Sequence, residues 1–333
     1  MYRLVRDALF CLDAETSHEL TLAAFARFPR MATAPFPRPL DGKPIRLLGL
    51  EFRNRVGLAA GLDKNGDCIA AWDALGFGFI EVGTVTPRPQ PGNPKPRMFR
   101  LPQHQALINR LGFNNKGVDY LIEQVKNTPR RCVLGINIGK NFDTPVDRAD
   151  EDYVHCLRKV HALADYVTIN ISSPNTQNLR DLQSEEPLRR LLRALRLTRE
   201  ELAQQQGRKT PLLIKIAPDL ADAQITALAR TVQGEGMDGL IATNTTTSRA
   251  AVAGHPKAAE AGGLSGQPLK AQAQHVLQTV RAAVGKEFLL IGVGGIGSSD
   301  DARARFNAGA DLLQIYSGFI YRGPRLIAEC AVA

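Results

Sequence analysis

A few polar residues interrupt runs of chain that are otherwise apolar enough for a buried strand, and their types suggest chemistry. Asn137 lies in VLGINIG, Asn170 in YVTINIS, Lys215 in LLIKIAP, and Thr243 with Asn244 in GLIATNT. A buried amide left without partners costs roughly 1–3 kcal/mol. One such asparagine is a satisfied core amide or a ligand contact; two at equivalent places on neighbouring runs favour the ligand. An ammonium inside a strand is costlier unless it meets an anion. Lys215 therefore fits an anionic cofactor better than its alternative, a buried lysine–carboxylate pair. Ser173-Pro174-Asn175 follows closely after Asn170. The tripeptide alone reads as a turn, but its place beside the amide makes Ser173 a candidate functional hydroxyl. His18, His104, His155, His161, His255 and His275 offer no recognisable catalytic-triad context for a nucleophilic serine.

The stretch IGVGGIGSSDD matches G-x-G-x-x-G at Gly292, Gly294 and Gly297. A dinucleotide fold would place that motif in an early βαβ unit, with an acid at the end of the next strand. Here it lies in the seventh apolar run, and Asp311 precedes the eighth. Glycines in this place instead suit the phosphate site of a barrel, with an anion held by backbone N–H groups and by a helix start at Ser298 or Ser299.

These residues need a scaffold, and the chain supplies eight short apolar runs: 55–61, 79–85, 133–139, 166–172, 212–218, 239–245, 288–294 and 312–318. Most are followed by helical pattern, as in DCIAAWDAL, SEEPLRRLLRALRLTREELA and SSDDARARFNAGA. Such alternation predicts parallel strands with helical crossovers. The fold class expected is α/β, a (β/α)8 TIM barrel. Its chemistry would lie at the C-terminal strand ends, where Asp63-Lys64, Thr84, Asn137, Asn170, Lys215, Thr243-Asn244, Gly294-Gly295 and Tyr316-Ser317 converge.

At 333 residues the chain exceeds a bare barrel of about 250, leaving roughly 80 residues for extensions. Cys11, Cys68, Cys132, Cys156 and Cys330 form no C-x-x-C pair, which argues against a locally built zinc or iron–sulfur site and for free thiols. No metal is expected. The net charge of +9 favours an anionic partner, but the basic residues are dispersed, so nucleic acid is not expected.

Residues 1–40 differ in character from residues 41–333. MYRLVRDALFCL and SHELTLAAFARF carry apolar residues at helical spacing, with the helix-start residues Asp13, Glu15, Thr16 and Ser17 between or at the head of them. A helical hairpin extension is predicted, too short and too charged to span a bilayer. It is either a cap on the barrel or an element lying on a membrane surface. The linker APFPRPLDGKP follows, and IRLLGLEFRNR reads as a hairpin flooring the barrel.

AAGLDKNG (59–66), EVGTVTPRPQPGNPKPRMFRLP (81–102), INRLGFNN (108–115), NIGKN (137–141), TINISSPNT (168–176), LIKIAPD (213–219), ATNTT (242–246), GGLSGQPL (262–269), GVGGI (292–296) and LLQIYSG (312–318) together resemble the dihydroorotate dehydrogenase family, class 2, the quinone-dependent membrane-associated type. The resemblance covers essentially the whole chain. It implies FMN as prosthetic group, oxidation of (S)-dihydroorotate to orotate, and a membrane quinone as acceptor in pyrimidine biosynthesis. It places FMN on Ala60, Gly61, Leu62, Asp63, Lys64, Thr84, Asn137, Asn170, Lys215, Thr243, Gly266, Gly295, Tyr316 and Ser317. Dihydroorotate falls to Lys64, Asn109, Arg110, Leu111, Gly112, Phe113, Asn170, Asn175, Asn244 and Thr245.

Ser173 matches the family's base, which removes a proton from C5 as hydride passes from C6 to flavin N5. The soluble class 1 enzymes, which use fumarate or NAD, have cysteine at that position. The hairpin corresponds to the family's quinone tunnel, with His18 and Arg100 as its polar contacts. DAETSH (13–18) has alanine where the family often has proline. The early acids Asp7, Asp13 and Glu15 argue against a mitochondrial presequence. A monomeric bacterial enzyme is expected, peripheral to the inner membrane on its cytoplasmic side, with a barrel that is still reduced by dihydroorotate once the hairpin is removed.

Overall fold

The computed structural model describes residues 2–36 and 44–333. Most of the predicted linker, and with it the expected boundary between residues 40 and 41, lies outside the described residues. Eight parallel strands close into a barrel: Val56–Leu58, Phe79–Val85, Val133–Ile138, Tyr166–Asn170, Leu212–Ile216, Gly239–Ala242, Leu289–Val293 and Leu312–Ile315. Each lies within one of the eight apolar runs. Helices cover the outside, the longest being Glu185–Gln206, and the (β/α)8 expectation holds.

Alternation along the strands sorts the interior into layers, because successive side chains point to opposite faces. On the second strand Ile80 and Val82 pack outward against the helices, while Phe79 joins the inner cluster. That cluster also holds Phe52, Tyr166, Leu213, Ile241, Leu289, Ile291 and Leu312. The antiparallel pair Ile45–Leu47 and Leu50–Phe52 closes it from below, with the Phe52 ring edge-on to Phe79 at 5.5 Å. The predicted floor is present. Two or four residues further along, the inward positions of five strands turn polar: Glu81, Asn137, Thr168, Lys215 and Gln314. The sequence places its chemistry two or four residues beyond an apolar anchor, which lifts it to the barrel mouth.

A further sheet, absent from the sequence reading, crosses that mouth. Met98–Leu101, Ala106–Asn109 and Gly263–Gly266 pair antiparallel, and Tyr321 donates to the carbonyl of Ala106 at 2.8 Å.

The N-terminal helices are Tyr2–Phe10 and Ala14–Arg27, followed by a short Pro29–Thr33. Asp13 caps the second helix, its Oδ1 accepting from the N–H groups of Glu15 and Thr16. The hairpin packs on the barrel through Phe10 against Tyr321 and Phe25 against Trp72, with centroids 5.5 and 5.1 Å apart. Tyr2 hydroxyl also donates to the carbonyl of Ile320.

The inner layers leave no slack at Gly135, where an added Cβ would fall 2.1 Å from Tyr166 Cζ. Gly135→Ala should therefore displace the Tyr166 ring and lower stability by about 1–3 kcal/mol, as overpacking does; thermal unfolding of the variant checks this.

Candidate active site

The strand ends open on a pocket of about 960 Å³. Ala60, Gly61, Lys64, Thr84, Asn170, Lys215, Thr243, Gly266, Gly295, Tyr316 and Ser317 line it, as do Asn109, Leu111, Gly112, Phe113, Ser173, Asn175, Asn244 and Thr245. Four residues of the sequence reading are not in the wall. Asn137 lies one layer below, its amide saturated by accepting from Thr84 Oγ1 at 2.6 Å and donating to Glu81 Oε1 at 2.8 Å. Asp63 turns away and accepts from the N–H groups of Asp67 and Cys68 and from Trp72 Nε1, and burial pushes its carboxyl up. Leu62 faces a different, apolar cavity. Arg110 points outward to Glu260 at 2.7 Å and stacks over Phe99.

The helix start at Ser298–Ser299 is likewise occupied by its own residues. Ser298 Oγ accepts from Asp301 N–H, and the Asp301 carboxylate accepts from Gly297 N–H and pairs with Lys270. The pocket instead meets Gly294, Gly295 and Ser317, the last opening the helix Ser317–Arg322. Gly295 has φ 72°, and a Cβ there would lie 2.4 Å from Lys270 Cα, so only glycine brings the backbone this close. Ser265, missed in the sequence, shares a hydrogen with Ser317 Oγ at 2.8 Å.

Among the described residues no carboxylate, histidine or cysteine lines the pocket, and Lys64 and Lys215 are its charged side chains. Both are buried, at 8% and 5% exposure. Burial, helped by the charge of Arg97 and opposed by Glu15 and Asp63, pushes the Lys64 ammonium down to about 8. Lys215 is lowered by burial, against the attraction of Glu81. Two desolvated ammonium groups facing a cavity favour anionic occupants.

Beneath them Glu81, fully buried, accepts from Asn137 Nδ2, Tyr166 hydroxyl, Thr168 Oγ1 and Gln314 Nε2 at 2.7–3.1 Å. Thr84 Oγ1 accepts from Asn170 Nδ2 at 3.0 Å, and Asn170 Oδ1 accepts from Ser172. Ser173 Oγ accepts from the N–H of Asn175 at 3.2 Å. Asn175 Nδ2 in turn donates to Asn109 Oδ1 at 3.2 Å. A brace not read in the sequence joins these loops: Arg180 donates to the carbonyls of Ser172 and Thr245 and pairs with Asp219 at 2.8 Å.

Between the hairpin and the barrel lies the apolar cavity, about 1500 Å³, lined by Leu9, Leu22, Phe25, Leu62, Phe319 and others. His18 and Arg100 line it together. Burial and the nearby charge of Lys64 push His18 down to about 3, leaving a neutral imidazole at ordinary pH. Arg100 stacks over Phe10 at 4.6 Å and donates to the carbonyl of Leu12 and to Ser17 Oγ. Tyr316 lines both this cavity and the polar pocket.

A family model described as dihydroorotate dehydrogenase matches residues 44–331. The chain is 56% identical to dihydroorotate dehydrogenase (quinone) of Thiobacillus denitrificans, covering 99% of this chain and 98% of that one. It is also 56% identical to the protein of the same name from Chromobacterium violaceum, covering 100% and 97%. A crystal structure of the enzyme from Eimeria tenella in complex with ferulenol superposes with a TM-score of 0.88 at 37% identity, over 96% of this chain and 90% of that one. The barrel and its polar mouth are thus those of an oxidoreductase, and the chain belongs to the dihydroorotate dehydrogenase family. The full-length match places it among the quinone-dependent members.

Lys64 leads to a test of the pocket. Its positive charge is present in the ligand-free pocket below about pH 8 and is lost as the pH rises through that value. Binding of orotate, a carboxylate, should therefore weaken above about pH 8. Lys64→Met should bind roughly tenfold or more weakly at pH 7 and lose this pH dependence, a charge-assisted bond contributing about 1.5–3 kcal/mol. Equilibrium titration with orotate between pH 6 and 10 measures both.

Proposed function

We propose that the chain oxidises (S)-dihydroorotate to orotate in pyrimidine biosynthesis, with FMN as prosthetic group and a membrane quinone as acceptor. The observation that carries this reading is the pairing of a carboxylate-free pocket holding two buried lysines with a separate apolar cavity, the two sharing Tyr316. The pocket fits FMN. Lys215 has no hydrogen-bond acceptor among the described residues and suits the electron-rich edge of an isoalloxazine. The Gly294-Gly295 turn and the N–H groups from Ser317 onward suit a phosphate. Thr84 and Asn170 would hold the ring from the strand ends. Bound there, FMN supplies the hydride acceptor and a carrier of electrons to the quinone.

The chain's own residues supply the rest. Lys64 neutralises the substrate carboxylate, while Asn109, Asn170, Asn175, Asn244 and Thr245 present the donors and acceptors that a dihydropyrimidine ring requires. Ser173 takes the C5 proton. A serine hydroxyl is a weak base that must pass its own proton on to a solvent water as it takes the one from C5, and two features help it: it is only 6% exposed, and the Asn175 N–H donates to its oxygen, where negative charge grows during that exchange. The cysteine base of the soluble class 1 enzymes has no counterpart in this wall.

The apolar cavity would take the quinone. Leu4 and Leu20 on the hairpin helices, Phe28 just after them and Met31 on the short helix that follows are each more than half exposed. Among the described residues no helix is long and apolar enough to cross a membrane. These features support peripheral attachment by residues 1–40 to the cytoplasmic side of the inner membrane, with residues 41–333 as the catalytic barrel.

Anaerobic mixing with dihydroorotate should bleach the flavin, and added quinone should restore it; absence of bleaching would overturn the reading. Ser173→Ala should keep flavin and bind orotate while slowing reduction by about 10²–10⁴-fold, as followed by stopped-flow absorbance. Ala24→Trp, on an exposed helix position that lines the apolar cavity, should raise the KM for a long-tailed quinone several-fold while reduction by dihydroorotate stays as in wild type.

A further inference from the structure

The helix that forms one wall of the apolar cavity is also linked to loops of the polar pocket, through Glu15. This glutamate is 7% exposed and meets Arg97, equally buried, with Nη2 to Oε1 at 2.7 Å and Nε to Oε1 at 3.0 Å. The other face of the guanidinium donates through Nη1 to the carbonyls of Pro91 and Asn93 at 2.6 and 2.7 Å. Asn93 continues outward. Its backbone N–H donates to Leu111, and its side-chain amide donates to the carbonyls of Arg110 at 2.8 Å and Asn175 at 3.3 Å. Arg97 also accepts the backbone N–H of Arg110 at 2.8 Å. A chain of contacts thus runs from the first turn of helix Ala14–Arg27 to the 109–113 loop and to the loop carrying Ser173.

We propose that the Glu15–Arg97 pair is a positioning clasp by which the N-terminal hairpin holds the substrate end of the pocket in its binding geometry. The proposal rests on the assignment of that pocket to dihydroorotate. Helix anchoring alone would require only Glu15 as partner. Here the planar fork of Arg97 grips the helix on one side and two loop carbonyls on the other, a division of donors that a lysine cannot reproduce. Removal of Glu15 would leave a buried guanidinium without its counter-charge, and such a group rearranges or draws in water. Either response moves Asn93, and with it the peptide groups of Arg110 and Asn175. Deleting the hairpin would then remove a substrate-side anchor along with the quinone cavity.

The test uses the flavin-loaded enzyme with orotate as probe. Glu15→Gln keeps the shape of the side chain and loses the charge. Asn93→Ala, at a half-buried position, cuts the chain beyond the ion pair and keeps the test alive should the first variant lose flavin. Each should raise the orotate Kd and the dihydroorotate KM on the order of tenfold, displacements of this kind being costly in a preorganised site. Flavin content and quinone reoxidation of dithionite-reduced enzyme should stay within about twofold of wild type. Orotate Kd within twofold of wild type in a flavin-replete variant overturns the clasp, and so does loss of flavin from both variants, which would make the residues merely structural. If Lys64→Met also leaves orotate binding unchanged, the pocket assignment itself fails; if only the clasp variants are silent, the clasp alone does.

Discussion

Everything at the mouth of this barrel stands on one buried carboxylate. Glu81 has no exposure to solvent, yet receives hydrogen bonds from the third, fourth and eighth strands while belonging to the second. It also sets the attraction that opposes the desolvation of Lys215 on the fifth. A carboxylate in such a place is tolerated only if each lone pair is met. That condition fixes the rotamers of Asn137, Thr168 and Gln314 together. Asn137 then accepts from Thr84, and Thr84 from Asn170, so the order imposed at the centre passes upward to the groups that face a ligand.

The barrel was legible in the sequence because parallel strands buried on both faces read as short apolar runs, and the interrupting residues Asn137, Asn170 and Lys215 stood out against them. What was not legible was direction. Leu62 and Asp63 directly precede Lys64 in the chain, but the loop turns Asp63 toward a helix start and Leu62 into an apolar cavity. Arg110 lies inside a wall-forming segment and faces away from it. The serines at 298 and 299 look like an anion site until Asp301 closes on Gly297.

Long-range pairs were beyond a one-dimensional reading for a related reason. Glu15 and Arg97 are 82 positions apart, and Arg180 joins loops that follow different strands. Glu81 was visible in EVGTV but carried no local sign of its four donors. The small sheet of Met98–Leu101, Ala106–Asn109 and Gly263–Gly266 was hidden in the same way, since the order of its strands depends on a partner more than 150 residues away. Local pattern specifies which residues are inside; which of them meet is decided by closure of the barrel.

The shared wall at Tyr316 separates two chambers of opposite polarity, one lined by lysines and amides and the other by leucines and aromatic rings. In the vocabulary of inhibition, occupants of the two chambers cannot exclude one another by volume. On the proposed assignment, a hydrophobic compound lodged behind the hairpin would lower turnover without displacing the pyrimidine acid, and raising the aqueous substrate would not rescue it. Whatever mutual influence the two ligands have must travel through the protein, and Arg97, which joins the hairpin to Asn93 and through its side chain to Asn175, offers one such route. On that assignment, partition of a compound between water and an apolar phase would decide which half of the catalytic cycle it arrests.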